Sequence, residues 1–329
     1  MKKITIKEVA KEAGVSISTV SNALNGSSLV TPATREKIIE VADRLQYVPN
    51  INGRLLKAGK SRMIGFLSSS VSGFYFSTLI DSIYQACDRY GYGLNIVAIR
   101  DKKVIMNHSL GGNLDGVIIF QGEVVGAEEL ALLKKNQVKT VFLDRKIKDR
   151  WISSVLFDSY RAGYELTCHA VRRGHRNLLF IEGGDLVYDS VERKRGFIKA
   201  MEEHGLPVED GCFLKGMFQE QFTYRMITAK LAEGMPLPDA FIAGNDISAI
   251  GCINALRDQG CQVPQDVSVA GFDDIEIARY VQPAITTVRN PIARQGTEAV
   301  EMLMQMIDEG AHGRVEQLKG EVVVRDSLT

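Results

Sequence analysis

Residues 63–99 read MIGFLSSSVSGFYFSTLIDSIYQACDRYGYGLNIVAI. An apolar run, 63–67, leads through a serine-rich turn into apolar positions at helical spacing over 76–90. A second apolar run, 94–99, follows. Runs that lack the polar alternation of a half-exposed strand are typical of parallel strands covered on both faces. The amphipathic stretch between them supplies the crossover that parallel strands need. The same order continues outward along the chain. Runs at 116–120, 140–143 and 154–157 come next, then a helical segment at 160–173. A second series follows at 178–181, 239–243 and 267–271, with a helix predicted over 247–258. Alternating strands and helices predict an α/β fold, a doubly wound parallel sheet occurring twice.

Working back toward the N-terminus, the pattern changes. Residues 4–46 read as helices only. Thr5-Ile6-Lys7-Glu8 is a capping box opening a helix with Ile6, Val9, Ala10 and Ala13 on its apolar face. Gly14 supplies the left-handed backbone of a tight turn, and Ser16 caps a second short helix that Asn25-Gly26 stops. Thr31-Pro32 opens a third, with Ile38, Val41, Ala42 and Leu45 on one face. Two short helices joined by Gly14-Val15-Ser16 and backed by a third make a helix-turn-helix. Ser18, Ser21 and Asn22 can face outward while Val20, Ala23 and Leu24 pack inward. A helix this thin and polar suits the major groove. Thr5, Ser16, Thr19, Asn25 and Thr34 are placed as donors to phosphates, which set register and not sequence. A small three-helix bundle that binds protein has the same helical spacing; the charge distribution favours DNA.

That distribution is uneven. The chain carries 40 Lys+Arg and 40 Asp+Glu, yet residues 1–60 hold ten basic against five acidic groups, leaving thirty against thirty-five for the rest. A head at +5 on a body at −5 suits a polyanion-binding module on a neutral-to-acidic body. The chain is 45% hydrophobic and 24% charged, which excludes a disordered or collagenous protein. No apolar run reaches membrane-spanning length and no signal core follows the first residues, so a cytoplasmic protein is expected. Five cysteines, scattered and never spaced as Cys-x-x-Cys, are read as reduced, buried thiols.

The head residues Thr5-Ile6-Lys7-Glu8-Val9-Ala10, Ala13-Gly14-Val15-Ser16, Ser18-Thr19-Val20-Ser21, Leu24-Asn25 and Tyr47-Val48-Pro49-Asn50 resemble those of the lactose/galactose repressor (LacI/GalR) family of bacterial transcription factors. The resemblance runs through nearly the whole chain. It implies a homodimeric regulator that binds a near-palindromic operator and is switched by a small effector. It adds Ile17, Tyr47, Asn50 and Arg54 to the expected DNA contacts. It also implies that the linker forms a short hinge helix on DNA, with Leu56 wedged between base pairs in the minor groove. Gly53 stands where the family usually has a small residue such as Ala, and Leu55 where it has Ser. Asn22 replaces a frequent Arg of the recognition helix.

In the body, doubly wound sheets bind ligands at the carboxyl ends of their strands. The loops expected there carry Ser68 to Phe76, Asp144-Arg145, Ser190, Arg193, Phe218, Asn245-Asp246 and Asp273-Asp274. Aromatic planes, carboxylates, amides and a forked guanidinium suit a small polar ring-bearing ligand. Taken singly, Asp246 could cap a helix, Arg193 could form a surface ion pair, and Phe74 and Phe218 could be core. Arg193-x-x-Gly196-Phe197, Asn245-Asp246, the run from Val263-Pro264 to Phe272-Asp273-Asp274 and the closing Val324-Arg325-Asp326-Ser327 resemble the family's effector-binding core. By motif position Arg193, Phe218, Asn245 and Asp273 would contact effector, with Phe74, Arg145, Ser190 and Asn290 lining the cleft. Between 99 and 115 the chain is shorter than the family norm, implying a shortened second helix.

No dinucleotide, Walker, nucleophile-elbow or zinc-protease motif is present, and the five histidines lack metal-ligand spacing. Neither catalytic residues nor a metal or cofactor are therefore expected. The sequence-level expectation is an α/β effector-binding body carrying a helix-turn-helix head. The head spans 1–47, the hinge 48–61, and the body 62–329. The N-lobe is set at about 62–160 and 291–320, the C-lobe at about 161–290 and 321–329, both of periplasmic-binding-protein type. The expected function is an effector-controlled, sequence-specific repressor of transcription acting on pseudo-palindromic double-stranded DNA. The effector is expected to be a sugar or related metabolite. A homodimer is expected, because little chain follows Ser327 to build a tetramerising helix. The competing readings are a cytosolic sugar-binding receptor or an enzyme, each with a protein-binding head.

Overall fold

The computed structural model describes residues 4–47, 60–120, 124–147 and 149–329. These fall into two compact units, Met1–Ser61 and Arg62–Thr329.

The first unit holds α1 (Ile6–Ala13), α2 (Ile17–Leu24) and α3 (Pro32–Arg44). Val9, Ala13, Val20, Ala23 and Ile38 form its core. The Glu8 carboxylate accepts from the Thr5 backbone N–H at 2.7 Å and from the Thr5 hydroxyl at 3.1 Å, fixing the start of α1. Gly14 ends α1 at φ +67°, a region where a Cβ is strained. Ser16 caps α2 by accepting from the Thr19 N–H at 3.1 Å. The expectations placed on Asn50, Gly53, Arg54, Leu55 and Leu56 lie outside the described residues.

The second unit contains the two expected parallel sheets. One has six strands in the order β11-β5-β4-β3-β1-β2. They are β1 (Met63–Ser68), β2 (Gly93–Ala98), β3 (Gly116–Phe120), β4 (Thr140–Phe142), β5 (Ile152–Phe157) and β11 (Val315–Leu318). All of their pairings are parallel. The other sheet has four strands, β7 (Phe213–Lys215), β6 (Leu178–Glu182), β8 (Ala240–Ala243) and β9 (Ser268–Ala270), in that spatial order and again parallel. A separate antiparallel pair joins β10 (Thr287–Arg289) to β12 (Glu321–Val323). The order reverses between β1 and β3 in the first sheet and between β6 and β8 in the second. Such switch points open a crevice at the carboxyl ends of the strands.

Helices cover the sheets: α4 (Phe74–Arg89), α5 (Lys102–Leu110), α6 (Ala127–Lys135), α7 (Ser159–Arg172), α8 (Tyr188–Glu203), α9 (Glu220–Ala232), α10 (Asp246–Asp258) and α11 (Ile292–Asp308). α5, in the stretch read as shortened, is nine residues long. Ile64, Phe66, Ile118 and Val141 are buried beneath α4 and α11 in the first lobe, and Phe180, Phe197, Ile242 and Phe272 in the second. One expectation needs correction. Cys87, Cys168 and Cys252 are buried, but Cys212, ending a 3-10 turn before β7, and Cys261, in the loop after α10, are only half-buried; all five are free thiols. Among the described residues no helix is long and apolar enough to cross a membrane.

Candidate functional site

The carboxyl ends of the two sheets face each other across a cleft of about 470 Å³. On the N-lobe side the loop after β1 brings Ser69, Ser70 and Ser72 to it, α4 begins there with Phe74 and Tyr75, and Asp144 follows β4. On the C-lobe side stand Asp189, Arg193, Phe218, Asn245, Asp246 and Asp273.

Arg193, on α8, is only 2% exposed. Its Nη2 donates to Asp273 Oδ1 at 2.8 Å and its Nη1 to the Gly244 carbonyl at 2.6 Å. The guanidinium carbon lies 4.8 Å from the centre of the Phe272 ring and 5.9 Å from that of Phe218. A desolvated cation is tolerable when carboxylate, carbonyl and aromatic faces surround it. Its Nε is buried without a hydrogen-bond partner. Asp273 and Phe218 adopt φ of +101° and +58°. Non-glycine residues in such conformations cost of order 1–3 kcal/mol each and concentrate at binding sites. The next residue helps to hold the first of these loops, since Asp274 accepts from Arg289 Nε at 2.8 Å and also pairs with Arg325.

The expected cleft residues divide in two. Phe74, 41% exposed, Arg193, Phe218, Asn245 and Asp273 line the cleft. Asn245 also caps α10, its Oδ1 accepting from the Ser248 N–H at 2.8 Å, so the cap is Asn245 and not Asp246. Arg145, Ser190 and Asn290 do not line it. The Arg145 guanidinium turns to the Val125 carbonyl. The Ser190 hydroxyl, buried, accepts from the Gly183 N–H at 2.8 Å. Asn290 stands behind the wall, its Nδ2 donating to Asp273 Oδ1 at 3.3 Å.

Sequence reading missed Asp189; Tyr75 and Asp246 lay within the strand-end loops it pointed to but were not singled out as effector contacts. Asp189 lines the cleft one position before Ser190, and accepts from the Ser159 hydroxyl at 2.6 Å. Burial raises its carboxyl above the usual carboxylate range, with the charge of Arg193 and the Ser159 hydrogen bond opposing and that of Asp273 adding. Tyr75 donates its hydroxyl to Gln295 Oε1 at 3.0 Å, while Gln295 Nε2 donates to the Leu143 and Val155 carbonyls at 3.0 and 3.1 Å. Burial, then the charges of Asp189 and Asp273, push the Tyr75 phenol well above its usual value. Asp246, which also lines the cleft, is fully buried and accepts from the Thr287 hydroxyl at 2.6 Å and the Ile275 N–H at 3.0 Å. Burial also raises it well above the usual range. Only the position of Asp189 beside Ser190 hinted at its role.

In the head, Ile17 and Ser18 at the start of α2 are exposed, Ile17 by 44%, whereas Thr19, Ser21 and Asn22 are half-buried. The Ser16 hydroxyl lies 2.7 Å from that of Ser18 and 2.8 Å from that of Thr19, and Thr34 pairs with Thr31 at 2.9 Å. These hydroxyls are therefore held in a fixed array at the helix starts, where N–H groups favour phosphate. Asn25 Nδ2 reaches the Ser21 hydroxyl at 3.5 Å. Tyr47 packs half-buried against the head core.

Residues 5–50 match the family described as bacterial regulatory proteins, lacI family, and residues 167–328 match the periplasmic binding protein-like domain. The probable HTH-type transcriptional repressor ExuR of Bacillus subtilis (strain 168) is 32% identical over 330 residues, covering 99% of this chain and 98% of that protein. Among solved structures, the Lac repressor dimer bound to operator and the anti-inducer ONPF is 25% identical, with a TM-score of 0.80 and 99% of both chains covered. The cellobiose complex of the transcriptional regulator CelR shares the fold, with a TM-score of 0.74 at 24% identity over 99% of this chain and 100% of that one.

Proposed function

This chain belongs to the lacI family of bacterial regulatory proteins, and from that premise we propose that it is a transcriptional repressor controlled by a sugar or similar small polar metabolite. One observation carries the reading. A single chain joins a helix-turn-helix, whose second helix offers exposed Ile17 and Ser18, to a body with a polar, aromatic-rimmed cleft. The head reads base edges with α2 and holds phosphates with Thr5, Ser16, Thr19 and Thr34; Asn25 and the linker residues Asn50, Arg54 and Leu56 extend that contact. Two heads of a homodimer read the halves of a pseudo-palindromic operator. In the body, Phe74 and Phe218 present apolar faces to a sugar ring, and Arg193, Asn245 and Asp273 hold its hydroxyls.

The effector acts only through unequal affinity for the DNA-competent and DNA-incompetent states. On this reading the protein works in the cytoplasm beside the chromosome, binds and does not turn over its ligand, and divides into a head at 1–47, a hinge at 48–61 and a two-lobed body. The test is selection of DNA by the full-length protein from a random pool, repeated with and without a panel of sugars. Enrichment of a two-fold-symmetric sequence, with affinity that falls steeply with salt and changes with one sugar, is expected. Failure to enrich any sequence would sink the repressor reading; hydrolysis or oxidation of the bound sugar would favour the enzyme.

A further inference from the structure

Resting on the sugar reading above, we propose that Asp189 makes the cleft selective for uncharged, hydroxyl-bearing ligands and against acidic sugars such as uronic acids and sugar phosphates. The argument begins with the buried cation of the cleft. Both terminal nitrogens of Arg193 are committed, one to Asp273 and one to the Gly244 carbonyl. Its charge is thus answered inside the protein by the Asp273 carboxylate 2.8 Å away, and its Nε is itself buried. Four residues earlier on α8 stands Asp189, on the same helical face. Its carboxylate takes one hydrogen bond, from the Ser159 hydroxyl, and forms no ion pair among the described residues.

The opposite wall adds no cation at depth. The Tyr75 hydroxyl is already donating to Gln295, and Asp144 brings another carboxylate to the lining. Arg100 also lines the cleft, but it is exposed, where solvent and salt screen its charge. The deep cleft therefore presents the Asp189 carboxylate beside neutral donors such as the Asn245 amide, and its buried cation, Arg193, is already paired. A sugar hydroxyl both donates and accepts, so it satisfies both. A carboxylate or phosphate only accepts, and it sets a negative charge against Asp189 where water is scarce, which disfavours both charged forms.

The test uses the full-length protein and matched pairs: D-glucose with D-glucuronate, D-galactose with D-galacturonate, and D-ribose with D-ribose 5-phosphate. Calorimetry gives the affinity ratio within each pair. In wild type the neutral member of any pair that binds is expected to lead by roughly tenfold or more. Asp189→Asn should bring that ratio close to one, and Asp189→Glu should preserve it. A wild-type preference for the acidic member, or an Asp189→Asn ratio equal to wild type, overturns the proposal while leaving the sugar reading intact. If no member of any pair binds, the sugar reading falls and takes the proposal with it. Should Asp189→Asn not fold, Asp189→Ser, which also removes the charge, is read against wild type in its place.

Discussion

Arg193 and Asp273 form a buried ion pair at 2.8 Å, and single substitutions at Arg193 and at Asp189 have opposite expected signs. Arg193→Met would strip the Asp273 carboxylate of its partner in a site where both are nearly inaccessible, 2% and 6% exposed. Breaking a buried pair from one side costs about 3–5 kcal/mol, because the other charge stays behind. The urea midpoint of the body should fall accordingly and the effector response should vanish. Asp273→Asn keeps an oxygen that can accept from Arg193 and should cost less. Equal stability of Arg193→Met and wild type would mean that Asp273 is effectively solvated. Asp189 works the other way. Its folded carboxyl is raised, so the native state holds more protons than the unfolded chain between the ordinary carboxylate range and the raised value. Stability then falls as pH rises through that window, and the deficit is complete above it. Asp189→Asn should therefore be more stable than wild type at neutral pH. Its advantage should shrink as the pH drops toward the ordinary carboxylate range. Asp246, raised by the same cause, contributes to both proteins and cancels in the difference. Urea titrations at several pH values would show the converging midpoints; an advantage that widens on acidification would refute the assignment.

α7 and α8 meet backbone to backbone, and two glycines permit it. A Cβ on Gly196 would lie 2.1 Å from the Tyr160 carbonyl oxygen, and one on Gly163 2.2 Å from that of Arg193. Neither neighbour is a flexible side-chain end, so either helix must move. Overpacking of this sort costs roughly 1–3 kcal/mol, and moving α8 moves Arg193. Gly196→Ala should thus lower both the urea midpoint and effector affinity. A stability loss with unchanged affinity would confine the glycine to packing. The element scale also shows what was legible beforehand. The fully covered strands β1, β3, β6 and β8 announce themselves as unbroken apolar runs, because both their faces are buried. β7, β10, β11 and β12 span three or four residues each and carry charged residues, so no run marks them. Arg193, Phe218, Asn245 and Asp273 were found through their motif positions. Asp189 and Ser190 are adjacent on α8, and a turn of about 100° between neighbours separates cleft wall from interior. Sequence alone had no means of fixing that rotation. Tyr75 and Gln295 are 220 residues apart, and only the packing of α4 on α11 makes them partners.

At the scale of the molecule, the division of charge and the division of core coincide. Residues 1–60 carry the excess of five positive charges, and the head core of Val9, Ala13, Val20 and Ile38 is complete without any residue of the body. The body has its own clusters in each lobe. Units with separate cores unfold as separate cooperative steps unless a large interface couples them. The protein offers a direct way to see this. Its single tryptophan, Trp151, belongs to the body, where Lys139 and Arg150 lie 5.1 and 4.9 Å from its ring centre. Tryptophan fluorescence therefore follows the body alone, while helical circular dichroism follows both units. A ligand that binds only the native body stabilises it by about 2.7 kcal/mol at a hundred times its dissociation constant. Saturating effector should accordingly move the fluorescence transition up by several degrees. A smaller, effector-insensitive circular dichroism step should remain for the head, which has little core to protect. Operator DNA should shift that second step instead, and less so as salt rises, because its hold on the head is largely through phosphates. A single transition, seen identically by both probes and moved by either ligand, would mean that head and body unfold as one unit, and effector control would then have to run through a rigid coupling and not through the linker.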